Sequence, residues 1–92
     1  MKKLRAFDEI VANALDEYVG THGSCWITGA ELLIDHPELH HRTAISFSLR
    51  NMMQRGPIPD HNFSVCAQAR QQSPKWYKYR SAYFIQQLTQ EN

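Results

Sequence analysis

Leu4, Phe7, Val11, Ala14, Leu15 and Tyr18 recur at steps of three and four, so one side of positions 3 to 19 is apolar. Asp8, Glu9, Asp16 and Glu17 fall mostly off that side, and the period predicts an amphipathic helix over about 3–19. Gly20 and the polar run Thr21-His22-Gly23-Ser24 are expected to end it, after which Ser24 to Ile27 reads as a brief strand. Thr28-Gly29-Ala30-Glu31 then has the spacing of a capping box. There the Thr28 hydroxyl accepts an orphan amide three residues on while the Glu31 carboxylate reaches back. A second helix over about 29–36 follows, with Leu32 and Leu33 facing inward. Pro37 stops it by removing an amide donor and disfavouring helical geometry at His36.

Beyond the connection His36-Pro37-Glu38-Leu39-His40-His41, a third helix is predicted over 42–55. Ala44, Ile45, Ser48, Leu49 and Met52 share its inner side, and Gly56 closes it. Its opposite side carries Arg42, Thr43, Ser46, Arg50 and Gln54, with Phe47 and Met53 near the boundary and no acidic residue anywhere. Pro57 and Pro59 forbid further helix. Phe63, Val65, Ala67 and Ala69 then alternate with Ser64, Cys66, Gln68 and Arg70 in a strand pattern. Gln71-Gln72-Ser73-Pro74 suits a turn, and Lys75 to Arg80 is rich in aromatic β-formers, giving a hairpin over about 63–80. In the C-terminal segment 81–92, Phe84, Ile85 and Leu88 fit one more helical stripe, while Tyr83 to Ile85 fit equally an extension of the strand.

Ninety-two residues without repeats, linkers or low-complexity tracts make one domain, 1–92, of α+β class. Hydrophobic residues at 42% and charged residues at 21% are ordinary for a folded chain. The net charge of +1 hides a division. Residues 1 to 40 hold three basic against seven acidic side chains, and residues 41 to 92 hold seven basic against two acidic. A basic half of this kind points to an anionic partner.

The N-terminus mixes acidic residues into its apolar positions, so it lacks an export h-region, and no apolar run approaches the roughly 20 residues of a membrane span. A cytoplasmic location is the expectation. Cys25 and Cys66 lack zinc or disulfide spacing and are expected to be free and buried. His36, His40 and His41, with His22 further off, lack the paired cysteines of a zinc finger, and loop and cap roles suit them better than metal ligation. His22 and Cys25 share a short loop with no orienting group, and the chain has no GxxxxGK[ST], GxSxG or HExxH peptide. No enzyme activity, cofactor or metal is therefore expected. Glu9, Asp16 and Glu17 read as carboxylates on a solvated helix surface.

The order helix, short strand, helix, helix, hairpin resembles the winged helix-turn-helix superfamily of DNA-binding domains. The resemblance rests on Trp26 to Leu33, on Arg42 through Leu49, Met52 and Gly56 to Ile58, and on Phe63 to Arg80. The His36 to His41 connection is longer than the compact turn of simple members. The resemblance implies a three-helix core with a C-terminal wing, the third helix entering a major groove and the wing straddling the backbone. It assigns Arg42, Thr43, Ser46, Arg50 and Gln54 to the groove and Arg70, Lys75, Lys78 and Arg80 to phosphates. The expectation is a sequence-specific duplex-DNA regulator of bacterial, phage or plasmid type. It would act as a homodimer, with the first helix and Phe84, Ile85 and Leu88 as dimer surfaces. The alternative is a winged helix serving as a protein-interaction module or as an inhibitor of a host factor, favoured by the near-neutral total charge and the acidic first helix.

Overall fold

The computed structural model describes residues 5–58, 60–72 and 79–88, and of these only the backbone at 70–72 and 79–80. Its elements in chain order are α1 (Ala6–His22), β1 (Cys25–Thr28), α2 (Gly29–Asp35), a 3-10 turn (Pro37–Leu39), α3 (Arg42–Arg55), β2 (Phe63–Gln72) and β3 (Tyr79–Gln87). The architecture is α+β, with three helices packed on a three-stranded antiparallel sheet. No helix of the described residues is long and apolar enough to cross a membrane.

Helix α1 runs three residues past its expected end. Gly20 costs about 1 kcal/mol in a helix interior, too little to end a helix whose Val19 is fully buried and whose next turn stacks His22 on Tyr18, ring centroids 4.2 Å apart. Gly23 ends it instead, at φ 75°, and its amide donates to the Val19 carbonyl at 2.8 Å. Helix α2 starts as its residues dictate. The Glu31 amide donates to Thr28 Oγ1 at 3.1 Å and the Thr28 amide donates to Glu31 Oε1 at 2.9 Å, which closes the capping box. The long connection to α3 is not loose, because its 3-10 turn buries Leu39.

Strand order in the sheet is β1-β3-β2, which places β3 in the centre. The hairpin therefore extends beyond its expected limit at 80. Residues 81 to 87 are central strand, and the helical alternative for Phe84 and Ile85 is excluded by their pairing with Trp26 and Cys25 of β1. Gln71 and Gln72, expected in the turn, pair with Arg80 and Tyr79, so the ladder reaches further out, and residues 73–78 lie outside the described residues.

A bulge interrupts β2. Val65 pairs with Ile85 and Ala67 with Phe84, leaving Cys66 as the extra residue. The alternation read from the sequence fails at that point, because one inserted residue moves everything beyond it to the other face. Phe63 and Val65 point into the core, but past the bulge it is Gln68 that shares a face with its partner Tyr83, its Nε2 donating to Tyr83 Oη at 3.3 Å, and both Gln68 and Ala69 are exposed. Val11, Leu15 and Val19 of α1, Ile45, Leu49 and Met52 of α3, and Ile27, Phe63 and Ile85 of the sheet form one core with Leu32 and Leu39.

Candidate nucleic-acid interface

Helices α2 and α3 meet at Gly29. A Cβ built on this glycine would lie 2.5 Å from the Arg42 carbonyl oxygen and 2.8 Å from Ser46 Oγ, so the start of α2 presses directly on the first turns of α3. Only a residue without a side chain permits that approach. Ser46 is thereby half-buried at the crossing rather than on the open face.

Arg42, Thr43, Arg50 and Gln54 all lie exposed on α3. Among the described residues neither Arg42 nor Arg50 forms an ion pair. Phe47, expected near the boundary, is 58% exposed. Steps of four and three residues put it one turn from both Thr43 and Arg50, inside the polar field rather than at its edge. Met53 is half-buried and packs on the core, as a boundary residue does.

Of the expected phosphate-contacting residues, Arg70 and Arg80 occupy neighbouring places in the ladder. Arg70 pairs with Ser81 and Arg80 with Gln71, so the backbone brings both arginine positions to the same end of the hairpin. Their side chains, together with Lys75 and Lys78, lie outside the described residues.

Helix α3 and the loop that follows it are held from behind by carboxylates of α1. Asp8, expected off the apolar side, is only 3% exposed, and Ser48 Oγ donates to its Oδ1 at 2.6 Å while Arg5 Nε reaches Oδ2 at 3.3 Å. Asp16, expected on a solvated surface, accepts from the Asn62 amide at 2.9 Å and lies 2.6 Å from His61 Nδ1. His61 Nε2 is 3.1 Å from Glu9 Oε2, so both ring nitrogens face carboxylates. A neutral imidazole has one N–H and would turn a lone pair toward the second carboxylate; the imidazolium satisfies both. Burial of the ring opposes its charge, but the hydrogen bonds and charges of Asp16 and Glu9 outweigh that and raise the His61 pKa above the ordinary 6.5. Sequence reasoning missed these anchors. One sign was present: Ser48 lies on the inward stripe of α3, and a buried hydroxyl needs an acceptor.

The other candidates resolve separately. His36 pairs with Glu38 at 3.2 Å and lies 3.9 Å from Glu17, and among the described residues no group of three His, Cys, Asp or Glu side chains is placed to hold a metal. His22 lies 3.9 Å from Asp35. Both cysteines are free, but they are not buried as expected. Cys25 is half-buried, and Cys66 is exposed because the bulge turns it outward, its Sγ 3.3 Å from Gln86 Oε1. Ile85 is fully buried and so unavailable to a dimer surface, whereas Phe84 is half-exposed against Trp26, ring centroids 5.4 Å apart. No family model matches this chain, and no curated protein or solved structure matches it at a significant level.

Proposed function

We propose that the chain is a winged-helix domain that binds duplex DNA as a transcriptional regulator, with α3 in the major groove and the β2–β3 hairpin along the backbone. The observation that carries this reading is the outward face of α3: exposed Arg42, Thr43, Arg50 and Gln54 on a helix with no carboxylate. An α-helix about 10–12 Å across fits a major groove about 12 Å wide. The order of elements and the β1-β3-β2 sheet suit the winged-helix arrangement. Arg50 and Arg42 supply guanine or phosphate contacts, and Arg70, Lys75, Lys78 and Arg80 supply phosphate contacts that position without reading sequence. One helix and one hairpin make a small footprint, so a homodimer on paired half-sites is the route to useful affinity.

The test is duplex binding by fluorescence anisotropy across a salt series. Four to six neutralised phosphates give a log–log salt slope of about −4 to −5. Arg50→Ala is expected to weaken binding and relax sequence preference, and Lys75→Ala to weaken it uniformly. Absence of salt-sensitive binding overturns the reading. A second reading, a winged helix that docks on protein, is favoured by the exposed apolar side chains Ile34 (77%), Ile10 (48%) and Trp26 (47%). It predicts a stable co-purifying protein whose capture is abolished by Trp26→Ala and Ile34→Ala and unaffected by Arg50→Ala.

A further inference from the structure

Phe47 is the unexplained residue of α3. Its neighbours one turn away are Thr43, Ala44, Arg50 and Asn51, with Gln54 two turns on, and all but the half-buried Ala44 are polar. An apolar ring 58% exposed among cationic and amide side chains is not part of an apolar patch on this helix, and it adds nothing to the core behind it. Its surroundings match a surface of mixed donors and acceptors that offers one isolated apolar group. The floor of the major groove is such a surface: base edges present nitrogen and oxygen groups there, and thymine alone adds a C5 methyl.

Resting on the duplex reading above, we infer that Phe47 is a specificity-determining residue that packs its ring on a thymine methyl while Arg42 and Arg50 hold the flanking polar groups. The cationic side chains set depth and register, and the ring reports whether a methyl is present. Ser46, withdrawn against α2, takes no part in this reading.

The full chain is used to select bound fragments from a random duplex library. In a selected duplex each thymine is then replaced singly by uracil, which removes the methyl and leaves pairing intact. Binding of each duplex is measured for wild type, Phe47→Ala and Phe47→Leu. At one or two positions the wild type is expected to lose about fourfold in affinity, the effect of uncovering one methyl-sized group. Phe47→Ala is expected to show no loss at those positions and Phe47→Leu a partial one. The ring is exposed and alanine favours helix, so the variants fold. Duplex binding that is salt-sensitive but equally indifferent to uracil in all three proteins overturns this inference and leaves the duplex reading intact. A uracil effect that persists undiminished in Phe47→Ala also overturns it. No duplex binding by wild type overturns both.

Discussion

Replacing Gly29 by alanine tests the crossing of α2 and α3 that orients the candidate interface. The added Cβ would sit 2.5 Å from the Arg42 carbonyl oxygen, a backbone atom that cannot rotate away, and 2.8 Å from Ser46 Oγ, which can. Relief requires the two helices to part by at least about half an ångström, and overpacking of this kind costs about 1–3 kcal/mol. Against that stands the ordinary advantage of alanine over glycine in a helix, about 0.5–1 kcal/mol, reduced here because Gly29 is the first residue of α2. The steric effect wins, and Gly29→Ala is expected to lose about 1–2 kcal/mol. For a domain of this size each kcal/mol moves the Tm by about 4–8 °C. Calorimetry should therefore place the variant about 5–15 °C below wild type. Adding Ser46→Ala removes the mobile obstacle only and is expected to restore a minor part of the loss. A Gly29→Ala protein as stable as wild type would mean that the helices do not approach as described, and full recovery by Ser46→Ala would mean that the backbone is not the obstacle.

Three further outcomes follow from the same geometry. Ser48→Ala leaves the buried Asp8 carboxylate without its 2.6 Å donor, a loss of about 1.5–3 kcal/mol readable as a lower urea midpoint at unchanged slope; an unchanged midpoint would deny that bond any role. His61 has a raised pKa, so the stability it adds is fully present below the unfolded value near 6.5 and fades as pH rises through the folded value. The gap in unfolding free energy between wild type and His61→Gln should accordingly narrow as pH rises above about 6.5, and a gap that widens with pH over that range contradicts the clasp. Cys66 is exposed, whereas burial and then the Glu31 charge push the Cys25 thiol up; in a thiol-labelling time course Cys66 should react well ahead of Cys25, and the reverse order would place the bulge elsewhere.

What the sequence discloses here are features whose cause is local. The period of apolar residues predicts α1, Thr28 and Glu31 start α2 through bonds three residues apart, and α3 spans Arg42–Arg55 where its stripe and Gly56 place it. The features that escape are decided by distant partners. Asp8 and Asp16 look solvated until Ser48 and His61, about forty residues away or more, are brought against them. The parity of β2 depends on one unpaired residue, Cys66, visible only in its register with β3. The aromatic run at Lys75 to Arg80 outweighs the weaker pattern that follows it, so the course of the strand on to Gln87 stays undecided in the sequence. For the candidate interface the residue types on α3 were legible, but the withdrawal of Ser46 depends on where α2 crosses.

The interruption at Cys66 has a bearing on how the molecule behaves among its own copies. With β3 central, β1 and β2 are the outer strands, and among the described residues each has a strand neighbour on one side only. Only four residues long, β1 offers too little to template another chain, and the ten-residue β2 is coiled by its irregularity, so a straight strand from a second molecule meets broken spacing. The sheet is thereby guarded on both sides against runaway growth.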